Sequence, residues 1–178
     1  MNSTLGANQG SRLVSLAAAV IAVLAALGTL FAHHRSISAL SAKNQAILTQ
    51  ARASDTYNAY EAKQIRFNIY RALLASDLVK DPQKKTQLES VAHSESATAP
   101  AILDQAKTLE RQALEEDERS VGILKSYELL QFATTAFEIS IVLVSISALS
   151  AGGRLLPVGC AVSGIGVVLF VIGLAQGR

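Results

Sequence analysis

The chain has no tryptophan, one cysteine, one methionine and three prolines among its 178 residues. A lone cysteine, Cys160, excludes an intrachain disulfide and any cysteine-built metal site, and it leaves the redox compartment open. The hydrophilic middle, residues 33–128, has no excess of either sign, with 13 Lys or Arg against 13 Asp or Glu. Binding to nucleic acid by counterion release needs a basic stripe, so no nucleic-acid partner is expected. The phosphate-loop pattern G-x-x-x-x-G-K-[ST], the nucleophile elbow G-x-S-x-G and the zinc pattern H-E-x-x-H are all missing. No enzyme activity, metal or cofactor is therefore expected. His33 and His34 are adjacent, and on a helix they point about 100° apart, which suits anchoring or solvation better than chelation. The run Glu115-Glu116-Asp117-Glu118-Arg119 reads as a solvated helix face, because calcium takes its oxygens from a loop.

Apolar residues, by contrast, make up half of the chain and concentrate in three runs. The first, residues 13–32 after a short tail 1–12, has about the ~20 residues that cross ~30 Å of hydrocarbon. A signal peptide is the competing reading, but its apolar core is typically ~7 to 15 residues, so a retained transmembrane helix is expected. The third run, residues 155–175, is also long enough, and its glycines are tolerated in membrane helices. The second is different: from Ile139 to Leu149 it would reach only ~17 Å. Ser150-Ala151-Gly152-Gly153-Arg154 is a turn signal that blocks extension forward, so the span is expected at 129–151, with a turn at 152–154. This places Glu138 inside it.

The middle, 33–128, reads as a helical hairpin. Residues 36–80 contain no Pro or Gly and read as one leg, ~68 Å long if unbroken. Asp81-Pro82 is expected to end that leg, the Ser-, Lys- and Glu-rich stretch 81–99 to form the tip, as a short helix or a mobile segment, and Pro100 to open a second leg over 100–128. The best heptad-like register on the first leg is Leu48, Ala51, Asp55, Asn58, Ala62, Ile65, Ile69, Ala72 and Ser76, and it is expected to be the seam between the legs. The fold class is thus an all-α membrane protein, with three spans and an antiparallel, coiled-coil-like hairpin between spans one and two. A lone two-helix hairpin has little core, so partner helices are expected.

Three groups of residues are candidates for function. Glu138 is costly inside a span, about 2.5 to 3.5 kcal/mol at the centre. It is expected to bond Thr134 or Thr135 one turn earlier or to bond across an oligomer interface; ion or proton passage, or pairing with a different protein, is the alternative. Asp55, Asn58, Tyr60 and Lys63 read as residues that set helix register, with a ligand pocket as the alternative. Lys63 is expected to reach Glu110 or Glu115. Small residues, namely Ala18, Ala22 and Ala25 of span one and Gly159 and Ser163 of span three, are expected to let spans pack closely.

The order of elements, with ASDTYNAYEAKQIRFNIYR at 53–71 and EISIVLVSISAL at 138–149, resembles the bacterial membrane-protein family catalogued as domain of unknown function 4337. Tyr57, Tyr60, Ala62 and Lys63 match its aromatic-x-x-Tyr-x-Ala-Lys motif, and Ile141, Val142, Leu143 and Ser145 its IVLAS-like string. The chain departs from the pattern at Tyr57, where Trp is common, and at Glu138, where Gln is expected. The resemblance implies one N-terminal span, a helical middle, two C-terminal spans, a multi-pass location in the bacterial inner membrane and a periplasmic hairpin. It implies no catalytic residue. With the lipid bilayer as surroundings, the expected function is interaction or scaffolding, by self-association or as an accessory subunit beside another membrane protein. A ligand-binding sensor and an ion conduit around Glu138 are the alternatives.

Overall fold

The computed structural model describes residues 3–76, 78–149 and 155–176, and all but a short connection is α-helical. Helix α1 runs Ser3–Ala75, α2 Pro82–Leu149 and α3 Leu155–Gln176. Each contains a stretch long and apolar enough to cross a membrane. The expected turn at 152–154 lies outside the described residues, and the tail expected at 1–12 is helical from Ser3.

Pro82 opens α2 rather than closing α1. The Asp81 carboxylate accepts from the Gln83 amide at 3.0 Å, and the Asp81 carbonyl accepts from the Lys85 amide at 3.0 Å. Asp81 is thus an N-cap with proline in the first helical position, where its missing N–H costs nothing. The stretch 81–99, expected as a tip, therefore belongs to the second leg, and the connection shrinks to the residues after Ala75. Pro100 then sits inside α2, where it removes a hydrogen bond to the Ser96 carbonyl at a cost of about 3 kcal/mol. The helix continues through it because buried alanines, Ala92, Ala99 and Ala106, hold it on either side.

The chain divides into two compact units. The first comprises residues 1–41 and 119–178, the second residues 42–118. In the three-helix unit Ile21, Ala25, Ala133, Phe137 and Val144 form a core, with Val14, Ala18, Leu156, Leu169 and Phe170 packed against it. Phe170 meets Phe137 edge-on at 6.4 Å and Phe31 at 6.0 Å. Along α2, Leu130, Phe137 and Val144 recur every seven residues; along α3, Gly173, Gly166 and Gly159 do the same. A Cβ on Gly166 would lie 2.8 Å from the Phe137 ring, and one on Gly159 would lie 2.9 Å from Val144. Only glycine permits this approach. The same closeness lets the hydroxyls of Ser126 and Ser140 donate to the carbonyls of Gly173 and Gly159, each at 2.6 Å.

On α1 the packed face of this unit is Val14, Ala18, Ile21, Ala25, Gly28 and Ala32. Ala22, expected in the packing stripe, is exposed, because after Ala18 the packed face continues through Ile21, one position earlier. Ser163 is half-buried, whereas Gly159 is buried against Val144.

The two-helix unit closes on alanine. Ala42, Ala46, Thr49 and Ala53 of α1 are buried, as are Ala92, Ala99, Ala106 and Ala113 of α2. The alanines of α2 are seven residues apart, and Ala46 and Ala53 keep the same period on α1. Methyl groups at the seam let two helices run close together, and polar pairs at its margins set the register. Lys43 bonds Asp117, the Tyr57 hydroxyl donates to Glu110 at 2.8 Å, and Lys63 bonds Glu95 at 2.8 Å.

The seam expected from Leu48 to Ser76 is therefore overturned. Those residues lie on the opposite face of α1: Leu48, Ala51, Asp55, Asn58, Ile65, Ile69, Ala72 and Ser76 are exposed, and Ala62 is half-buried. The physical reason is size. A seam of alanines needs no large side chain, so the bulkier 3-and-4 pattern is left facing outward.

Candidate functional site

Outside residues 33–128 the chain has one acidic residue, Glu138. It is exposed on α2 within the three-helix unit, at one end of an open polar cleft of about 320 Å³. The α2 wall is Tyr127, Gln131, Thr134, Thr135 and Glu138, a stripe at helical spacing; the α1 wall is Thr29, Ala32, His33 and Ser36. Eight of these nine side chains are polar. From Tyr127 to Glu138 the wall extends ~16 Å at the helical rise. Helical side chains lean toward the N-terminus of their helix, so Glu138 leans back toward Thr134 and Thr135.

The hydroxyls of the cleft do not serve the carboxylate. Thr134 donates to the Leu130 carbonyl at 2.9 Å, Thr135 to Gln131 at 3.0 Å, and Thr29 to Ala25 at 3.1 Å. The expected bond from Thr134 or Thr135 to Glu138 is thus replaced by bonds to the helix's own carbonyls four residues back, the local partner that threonine in a helix finds first. With those protons committed, the three oxygens present lone pairs only. Among the described residues nothing donates to Glu138. α1 comes close at Thr134, since a Cβ on Gly28 would collide with its hydroxyl oxygen.

Sequence reasoning singled out Glu138, Thr134 and Thr135 but read His33 as anchoring or solvated and gave Thr29, Ser36, Tyr127 and Gln131 no role in a site. The signal was present: polar residues at positions 127, 131, 134, 135 and 138 share one helical face.

The second group divides. Asp55 and Asn58 are exposed and Tyr60 is half-buried. Lys63 pairs with Glu95, not with Glu110 or Glu115, because the alanine seam sets the legs in a different register from the one expected. Glu95 also receives Arg66 at 3.3 Å, and its side chain is 14% exposed. The Lys63 hydrogen bond, reinforced by the charges of Lys63 and Arg66, holds its carboxyl below the usual range. Glu110 is engaged by Tyr57 instead. That bond, with some loss of solvent and the nearby negative charge, raises the phenol above its ordinary value. Among the described residues no cluster of three or more His, Cys, Asp or Glu is placed to hold a metal.

No curated protein and no solved structure matches the chain. The family model described as domain of unknown function DUF4337 matches residues 11–176, nearly the full length, and the chain is a member of that family.

Proposed function

We propose that this protein is an integral membrane scaffold, held by three spans in the bacterial inner membrane, whose two-helix unit lies in the periplasm and associates with a second copy through the outer face of α1. The observation that carries this reading is the exposed apolar stripe. Ile47, Ile65 and Ile69 of α1 and Leu114 of α2 are 57%, 59%, 50% and 60% exposed, in a unit whose composition is otherwise charged and water-seeking. Fully burying such a side chain is worth about 1.5 to 3 kcal/mol, so covering the remaining half of several contributes a few kcal/mol per copy. Free association costs at least about 4 kcal/mol in lost motion, which anchoring in a shared membrane reduces by raising the effective concentration.

Copies held in one membrane present the same stripe in the same direction. A parallel pair brings Ile65 to Ile65 and Ile69 to Ile69, with Asn58 meeting Asn58, a pairing that two-stranded parallel coils accommodate and that sets their register. Asp55 meets Asp55 and opposes the pairing. Self-association in mild detergent, read by light scattering, tests the proposal: the protein is expected as a defined oligomer that dissociates in Ile65→Ser/Ile69→Ser and tightens in Asp55→Asn. A wild-type monomer at all concentrations contradicts it.

A further inference from the structure

We infer that the cleft beside Glu138 is a binding site for a primary ammonium group. The inference rests on the reading that the apolar segments lie in a membrane, and on the geometry of the cleft within the three-helix unit.

The first point is charge. Inside an apolar segment a carboxylate is kept only where it meets protein, water or a counter-ion, and among the described residues Glu138 has no basic partner. The second is hydrogen-bonding sense. Thr29, Thr134 and Thr135 have given their protons to backbone carbonyls, so around the carboxylate the cleft offers acceptors. Such a lining selects a cation that brings its own N–H donors. An anion is repelled, and a quaternary amine has no proton to give.

The third point is size. At about 320 Å³ the cleft is at the lower end of the range for small-molecule sites, and it is far larger than the cage around a bare metal ion. The fourth is polarity along its length. At the end away from Glu138, Tyr127, Gln131, His33 and Ser36 carry donors ~10 to 16 Å along the wall, beyond the reach of a small amine's own oxygen. A small amino alcohol, free or as the headgroup of an aminophospholipid, therefore meets the site through its ammonium, held by Glu138 and the threonine oxygens.

The test uses the full chain in phosphatidylcholine nanodiscs, with incorporation checked first, so that failure to enter a bilayer is separated from failure to bind. Titration calorimetry with ethanolamine is expected to show saturable binding that weakens at least about tenfold in Glu138→Gln, the loss of one charge-assisted hydrogen bond. Tetramethylammonium, with the charge but no N–H, is expected to bind at least about tenfold more weakly than ethanolamine by the same reasoning. Repeating the titration in discs containing phosphatidylethanolamine identifies the natural source: loss of the ethanolamine signal assigns the site to the lipid headgroup, and its persistence assigns it to a water-soluble amine. The proposal is overturned if incorporated, helical wild-type protein does not bind ethanolamine saturably, if Glu138→Gln binds equally well, or if tetramethylammonium binds as tightly. Thr135→Val, which keeps shape and charge, gives an independent check and is expected to weaken ethanolamine binding.

Discussion

The two units close on the same device and are finished differently. Both bring helices together with small residues seven apart, glycine on α3 in the three-helix unit and alanine on α1 and α2 in the two-helix unit. In the first, the space is filled by Leu130, Phe137 and Val144, and two serine hydroxyls bond directly to glycine carbonyls. In the second, the margins are closed by Lys43 with Asp117, Tyr57 with Glu110, and Lys63 with Glu95. With the three-helix unit in a membrane, as proposed, the difference follows from what each environment supplies. Among lipid tails a helix gains nothing from hydrophobic burial, so close contact and hydrogen bonds must hold the helices together. In water the hydrophobic term is available, yet the alanine seam uses little of it, and large residues such as Ile47 and Ile65 stay outside. On the proposed function, exposed Val20, Leu30 and Ile165 are the surface that meets lipid, and exposed Ile47, Ile65 and Ile69 are the surface offered to a second copy.

The comparison breaks most easily at its largest side chain. Phe137→Ala leaves a void where the ring is fully buried, and is expected to destabilise the three-helix unit by about 3 to 5 kcal/mol, measured by denaturant unfolding in detergent. Gly166→Val drives atoms into that ring and is expected to cost about 1 to 3 kcal/mol, or to detach α3 in protease-protection assays. Ala106→Leu applies the same overpacking to the seam of the two-helix unit, with an expected cost of about 1 to 3 kcal/mol read from its melting by circular dichroism. If the leucine instead stabilised the hairpin, the alanine seam would be wrong.

The smallest expected effects are electrostatic. Because Glu95 is held below its ordinary pKa, it contributes stability that is present above the usual carboxylate range and is lost as pH falls through the lowered value. Melting of the two-helix unit is thus expected to become acid-sensitive, and less so in Glu95→Gln. Tyr57 runs the other way: its raised phenol contributes below pH about 10 and the contribution is lost as pH rises through the shifted value, so Tyr57→Phe flattens the alkaline limb.

Run length revealed the three apolar helices, and the stretch 36–80 without Pro or Gly, followed by Asp81-Pro82, revealed the antiparallel hairpin. The seam was hidden for a physical reason. Ranking residues by hydrophobicity draws the eye to Leu48, Ile65 and Ile69, whereas close-packed helices are selected by smallness, and Ala46, Ala53, Ala99, Ala106 and Ala113 look unremarkable in a chain rich in alanine. Pro82 illustrates a second ambiguity, since Asp-Pro can end one helix or cap the next, and the Gln83 and Lys85 amides decide it. Of the cleft, Glu138 was visible from length arithmetic. Its partner wall was not, because Thr29, His33 and Ser36 become neighbours only once α1 and α2 are aligned.

In the two-helix unit α1 carries two stripes, alanine inward and Leu/Ile outward, and on this the rest depends. Single cysteines placed from 42 to 76 in a Cys160→Ser background, labelled with a maleimide in dilute detergent where copies separate, test it directly. The account expects slow labelling at positions 46, 49 and 53 and fast labelling at 48, 58 and 65, with the last three slowing as concentration rises and copies pair. Fast labelling at 46 and 53 with constant protection at 48 and 65 would contradict it.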